Sequence, residues 1–306
     1  MAALTLHDLR GNPARLRKER AIKILLLATA AVSVVVSALI VYSLVFRAYD
    51  FITSVEFSAL WGDDWAPRND KFSLKSLISA SAMVTGVAML VAVPLGLGAA
   101  IYLSEYANPR VRRVLKPALE VLAGIPSVVV GFFCITFISP TVVQRFFGSA
   151  GTFSLLSAGI GVGILSIPLV ASVSEDAMRS VPTALREASY GLGARKVTTS
   201  IKVVVPAAVS GLVAALILAA ARALGETMVV LLAAGSANAS QFTANPLDEG
   251  LTMTAAIASQ IRGTDRAVGG DLVLPSLFFV GFLLFAATLV LNVIAERFVQ
   301  RVRQRY

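Results

Sequence analysis

The chain has 306 residues, of which 57% are hydrophobic and 15% charged, with a net charge of +9 and a mean hydropathy of +0.78. Soluble domains carry roughly a quarter charged residues, so a soluble globular fold is excluded, and the basic excess reads as membrane-anchoring loops rather than nucleic-acid affinity. A single cysteine, Cys134, and a single histidine, His7, exclude an intramolecular disulfide and any metal site that needs several His or Cys ligands.

Residues 1–23 form a basic tail with Arg10, Arg15, Arg17, Lys18, Arg20 and Lys23, ahead of an apolar run from Ile24 to Phe46. That run is long enough to cross a bilayer and exceeds the ~7–15 residues of a signal-peptide core, so it predicts an uncleaved first helix. A polar, acidic segment follows to about Phe72, with Trp61 and Trp65 as interfacial anchors among Asp50, Glu56, Asp63, Asp64 and Asp70. It is either an external cap or a partner surface.

Further apolar runs predict spans at about 73–103, 118–139, 153–173, 207–234 and 273–296. The expected fold is therefore an all-α polytopic membrane protein with about six transmembrane helices and both termini on one side. That side carries 19 Lys and Arg against 7 on the other, which predicts cytoplasmic termini in a bacterial plasma membrane. The expected organisation is a tail over 1–23, the first helix and an extracytoplasmic loop over 24–72, a helical core over 73–296 and a basic tail over 297–306.

Within the third span, Gly124, Pro126, Ser127 and Gly131 break or thin the helix, for packing or for exposing backbone to a solute path. Gly159, Gly161 and Gly163 in the fourth span lack the strand that a dinucleotide fingerprint needs, so they read as helix packing or a hinge. In the fifth span Gly211, Ala215 and Ala219 recur at intervals of four, which permits close helix approach. That span also holds Arg222 and Glu226, which helical spacing would set on one face. An arginine at mid-bilayer costs roughly 2.5–3.5 kcal/mol and ordinarily faces a polar interior. The pair either lines a path for an anion, with Glu226 neutralising the guanidinium when no anion is bound, or pins helices in register. Asn238, Gln241 and Asn245 fall in the external segment before the last span. No G-x-x-x-x-G-K-[ST] string occurs, so any ATP must be bound by another chain.

Between spans four and five, a cytoplasmic loop over about 174–206 contains Pro182, a helix start at Thr183, a stop at Gly191 and Gly193, and Pro206 ahead of the next span. A short amphipathic helix there can seat in a partner's groove. Glu187-Ala188-Ser189, then Gly193, then Val203-x-Val205-Pro206 resembles the EAA-x3-G-x9-I-x-LP signature of permease subunits in bacterial ABC importers. Ser replaces the second Ala, and Val replaces both Ile and Leu. Glu120 to Phe133, Ser180 to Ala194 and Arg222-Ala-Leu-Gly-Glu-Thr-Met-Val230 look like the permeases of the high-affinity phosphate (Pst) system. The sequence after Thr227 and the loop after span one look more like PstC than PstA. The resemblance covers residue 73 to the end.

It implies a type I (MetI-like) permease domain, no catalysis and no cofactor in this chain, and phosphate import by alternating access. The implied partners are a PstA-like second permease, a PstB-like ATPase pair, a PstS-like extracytoplasmic binding protein and membrane lipid. The implied path residues are Arg222, Glu226 and Thr227, with Gly124, Pro126 and Ser127 as a further path or helix break. The implied ATPase-coupling residues are Arg186, Glu187, Ala188, Ser189 and Gly193. Another oxyanion such as molybdate or sulfate suits an intramembrane arginine equally, and an ion-coupled carrier or channel is the alternative from another class. A membrane enzyme lacks a visible cluster of acid, base or nucleophile.

Overall fold

The computed structural model describes residues 13–235, 240–262 and 271–302, with side chains over 17–235, 240–260 and 271–301. His7, Arg10, Asn238 and the two ends of the chain lie outside the described residues.

A 42-residue helix, α1 (Pro13–Ser54), opens the chain. Its apolar window buries no residue against the rest of the chain; only its last turns are covered, where Ala48 and Phe51 are buried. There Arg47 lies 4.9 Å from the centre of the Phe278 ring of the final helix, α13 (Val273–Val302), a cation–π contact that anchors one end of α1.

The acidic segment after α1 folds as a small cap. Strands β1 (Trp65–Ala66) and β2 (Lys71–Phe72) pair antiparallel around Asp70, whose φ of 55° supplies the left-handed turn. Trp65, Phe72, Phe51 and Phe279 close over one another beneath it. Trp65 is therefore a core residue of the cap, not an interfacial anchor, because the hairpin turns its ring inward onto Phe72; Trp61 stays exposed. The segment before α13 docks on this hairpin, with Trp65 N donating to Ser240 O at 3.0 Å and Phe242 N to Asp63 O at 2.8 Å. Gln241 faces Asp64 across that edge.

The core follows in order. Helix α2 (Leu74–Ile101), capped by Ser73, ends in a π-helical stretch, Tyr102–Tyr106. Asn108 caps α3 (Pro109–Ala123), with proline in its first position. After a break come α4 (Ser127–Phe133), a π-helical continuation Cys134–Val143 and the short α5 (Gln144–Phe146). Helix α6 (Leu155–Arg179), capped by Ser154, runs through the centre of the molecule. Then come α7 (Thr183–Gly191), α8 (Lys196–Thr199), a π-helical stretch Ser200–Val204 and α9 (Val205–Ala207). The last elements before α13 are α10 (Val209–Leu224), α11 (Met228–Ala233) and α12 (Met253–Arg262).

Five helices among the described residues are long and apolar enough to cross a membrane: 17–54, 74–106, 127–146, 155–179 and 273–301. The sixth crossing differs from the single span expected over 207–234. The chain bends by 72° between α9 and α10, and the helix stops at Leu224 and resumes at Met228. Gly225 ends α10 with its N–H on Ala221 O, and Thr227 O restarts the ladder by accepting from Leu231 N. The basic segment 110–116 is likewise part of a helix, α3, rather than a loop, because Asn108 and Pro109 start one there.

Small residues set the close packing around α6. A methyl added at Gly159 or Gly163 would come within 2.6 or 2.8 Å of the Val87 or Val91 Cβ of α2. Gly161 points the other way, and a methyl there would overlap the Cys134 sulfur. At Gly211 it would overlap Ala177 of α6. The glycine and alanine stripes thus serve helix approach. Gly161→Ala is expected to destabilise the protein by about 1–3 kcal/mol through overpacking, read as a lower thermal midpoint in detergent. Cys134→Ala in the same chain should recover much of the loss, and a parental midpoint for Gly161→Ala alone would contradict this packing.

The same contacts make α6 a ruler of depth. Along α10 and α11, Gly211 meets Ala177, Ala219 clusters with Val170, and Val229 approaches Gly161, an antiparallel register that runs straight through the break. Along α3 and α4, Arg112 and Lys116 meet Glu175, while Val130 and Cys134 lie beside Gly161. Interpolating either register puts the breaks at 124–126 and 225–227 at one level, beside the middle of α6 and its Pro168. The break at 124–126 separates the amphipathic α3 from the crossing that begins at Ser127, and the break at 225–227 separates α10 from α11 at a similar level along α6.

Candidate functional site

Arg222 closes the last turn of α10, immediately before the break. Its side chain is exposed, and among the described residues it makes no ion pair or side-chain hydrogen bond. Glu226 is half-buried and lies in the break itself, so the expectation that it shares a helical face with Arg222 fails: the helix has ended between them. Its carboxylate turns back to accept from its own neighbour, with Thr227 N donating to Glu226 Oε1 at 3.2 Å. Thr227 Oγ1 donates to Gly225 O at 3.2 Å. The local geometry leaves the guanidinium without a counter-charge, so Glu226 does not neutralise it in this conformation. A planar, permanently charged fork with open donors suits a tetrahedral or trigonal oxyanion.

The break is held from outside by a segment expected to be wholly external. Before α12 the chain turns into the core: Leu251, Thr252, Met253 and Thr254 are buried. Thr252 Oγ1 caps α12 by accepting from Ala255 N at 3.3 Å. Thr254 Oγ1 donates to Glu226 O at 2.7 Å, and Met253 N donates to Ser81 Oγ of α2 at 3.0 Å. The free carbonyl of the broken helix thus has a partner, as a buried carbonyl requires. Gln241 and Asn245 lie elsewhere, on the cap side, where Asn245 Nδ2 donates to Asp248 Oδ1 at 3.0 Å.

Gly124 and Pro126 bring the other interruption to this level. Ser127 opens α4, and its neighbour Gly131 lets α11 come close: a methyl there would lie 3.2 Å from Met228 O. The 124–127 and 222–227 groups therefore lie at two helix breaks, just ahead of the packed pair α4 and α11.

At the opposite end of the core, α7 stands proud of the helices with no buried residue. Glu187, Ala188 and Tyr190 face outward and Leu192 is 90% exposed. Gly193, with φ of 76°, makes the turn into α8 that a side chain would strain. Ser189 Oγ and Thr199 Oγ1, 2.8 Å apart, tie α7 to α8. Arg186 points inward, 3.0 Å from Glu105 Oε1, beside Leu185, which packs against the cluster of Met178 and Val181.

Comparison with known proteins bears on what such an arrangement is for. Residues 92–304 match the family described as binding-protein-dependent transport system inner membrane component. The chain belongs to that family. It is 32% identical over 281 residues to a phosphate transport system permease protein PstC of Mesorhizobium japonicum, covering 86% of this chain and 84% of that protein. It is 38% identical over 216 residues to a probable ABC transporter permease protein, YqgH, of Bacillus subtilis, covering 70% and 68%. Among solved structures, an inward-facing conformation of the MetNI methionine ABC transporter superposes with a TM-score of 0.56 at 18% identity, over 76% of this chain and 96% of that one. The fold is thus the all-α, type I ABC permease fold, in a multi-pass inner-membrane transport component.

Sequence reasoning missed Ser81, Glu105 and Thr254, the residues that hold this family member's break and outer helix in place. Their partners lie 172, 81 and 28 residues away, beyond any local pattern. Only Thr252, a helix-capping type just ahead of an apolar run, carried a local signal, for α12.

Proposed function

We propose that this chain is a transmembrane permease subunit of an ATP-driven importer that moves inorganic phosphate into the cytoplasm. The observation that carries the reading is the Arg222 guanidinium, unpaired among the described residues, beside the middle of α6 and next to the break at 225–227. A permanent charge there is costly and is offset when an anion arrives. The relatives named as phosphate transport permeases favour phosphate over molybdate or sulfate.

In this reading α7 is the docking helix for an ATPase subunit, with the exposed Glu187 and Ala188 side meeting it, Ser189 bracing it on Thr199 and Gly193 fixing its turn. The chain acts with a PstA-like permease, a pair of PstB-like ATPases that bind all the ATP, and a PstS-like binding protein on the cap side. The termini are cytoplasmic, in line with the 19-to-7 division of Lys and Arg. ATP-driven closure of the ATPases moves α7, and the cavity around Arg222, Glu226 and Thr227 changes the side to which it opens.

The test is to purify the complex through this chain, identify its subunits and reconstitute it in liposomes. The expected result is an ATP-binding subunit in the complex and phosphate uptake that requires both ATP and the loaded binding protein. ATP-independent uptake would point to a carrier, and uptake of sulfate or molybdate in place of phosphate would reassign the cargo.

A further inference from the structure

The coupling loop leads in sequence into α10, so the obvious route for motion from α7 to Arg222 is along the chain. The contacts show another. Arg186 of α7 is only 17% exposed and Glu105 only 4%. Arg186 Nη2 donates to Glu105 Oε1 at 3.0 Å and to Met178 O at 2.9 Å, and Nη1 donates to Val181 O at 2.7 Å. Three acceptors, at the end of α2, on α6 and in the link between α6 and α7, hold one guanidinium, whose preorganised planar fork loses little entropy per bond. Ser104 Oγ donates to the same Glu105 oxygen at 2.9 Å.

Glu105 sits in the π-helical end of α2, and that end has a second tie to the coupling loop. Lys196 Nζ of α8 lies 5.1 Å from the centre of the Tyr106 ring. By contrast, the route along the chain passes through a 72° bend at Ala208. A break of that size makes a poor push-rod.

The far end of α2 reaches the candidate anion site. Ser81 Oγ accepts from Met253 N, and the adjacent Thr254 Oγ1 holds Glu226 O. Ser81 and Glu105 are separated by 24 residues, roughly 36 Å at helical rise. One near-continuous helix therefore touches the docking helix at one end and the brace of the broken crossing at the other.

We propose that Glu105 is a positioning residue for transport: through Arg186 it makes α2 the rod that carries the movement of α7 to the break at 225–227. Arg186 then acts inside the permease rather than on the ATPase. This rests on the importer reading above.

The experiment uses the complete complex in liposomes, with phosphate uptake and ATP hydrolysis measured together. For Glu105→Gln the ATPase subunit stays bound and hydrolysis stays within about twofold, while uptake per ATP falls about tenfold, the factor carried by ~1.4 kcal/mol of lost coupling. Exchanging the charges, with Glu105→Arg and Arg186→Glu together, restores part of the ratio that Arg186→Glu alone loses. Parental uptake per ATP in Glu105→Gln, loss of the ATPase subunit from it, or no recovery in the exchanged pair would each overturn the proposal. Absence of ATP-driven phosphate uptake in the unmodified complex would instead overturn the importer reading.

Discussion

Replacing Arg222 with glutamine is expected to cut phosphate uptake by the assembled importer about 10- to 100-fold, the range that ~1.5–3 kcal/mol of charged hydrogen bonding represents. The side chain projects from the last turn of α10 before the break, and no ion pair or side-chain hydrogen bond to it exists among the described residues. Glutamine keeps the length and some donors but removes the charge that makes a dehydrated oxyanion stable at that depth. Arg222→Lys should fall between the two, because an ammonium supplies charge without the planar fork. The readout is the initial uptake rate at saturating binding protein, with subunit stoichiometry checked on the same preparation. Unchanged uptake in Arg222→Gln would remove Arg222 from the anion's path and leave it a structural charge. If instead uptake falls but the charge-conserving lysine is no better than glutamine, the fork geometry, and not the field, is what the anion requires.

The contrast between what local pattern reveals and what it hides is sharp at this site. The apolar runs of α2, α6 and α13 are uninterrupted, so their crossings follow from hydropathy alone. The run around Arg222 is equally apolar, and hydropathy averaged over a span smooths out the stop at Gly225. The punctuation was nonetheless present: Gly225 just after an alanine-rich helix and Thr227 just before Met228 are stop and start signals. Read with those, Arg222 and Glu226 separate onto different elements. Ahead of the third crossing the same kind of signal, Gly124 with Pro126, was visible because proline removes a backbone donor as well as fixing φ, and it starts that crossing at Ser127 rather than at about 118. α7 was legible from both ends for a similar reason, bounded by Pro182 and by the positive φ of Gly193.

What local pattern could not reveal is the set of contacts between distant parts of the chain. The turn of residues 251–254 into the core is one case, since a segment of mixed polarity looks external until Ser81 and Glu226 are seen to satisfy its backbone and hydroxyl groups. The pairing of Arg186 with Glu105 is another, since an arginine beside an outward-facing glutamate on a short amphipathic helix carries no sign that it points the other way.

The largest stability effect should come from Glu175, near the end of α6 closest to α7. Its carboxylate is fully buried, yet it meets three cations: Arg112 by a short ion pair, Lys116 at 2.7 Å and Arg179 at 3.8 Å. Lys116 has a second partner in Asp176, also at 2.7 Å. These bonds fasten α3 to α6 just ahead of the break at 124–126, so the amphipathic α3 depends on them for its position. Breaking a buried pair by deleting one partner costs about 3–5 kcal/mol, because the remaining charge is left buried. Glu175→Gln should fall near the lower end, since Arg112 and Lys116 are 19% and 28% exposed and retain some water. A loss of that size lowers the thermal midpoint by roughly 5 °C or more in a chain of this length, measurable by the loss of monodisperse protein on heating in detergent. Replacing both members of the tightest pair, Glu175→Leu with Arg112→Met, should recover most of it, because apolar groups of similar volume commonly match or exceed a buried ion pair, and Lys116 keeps Asp176. A parental midpoint for Glu175→Gln would show that α3 is held by its apolar contacts alone. Recovery in the double variant together with lost phosphate uptake would show that the charges serve movement between α3 and α6 rather than stability.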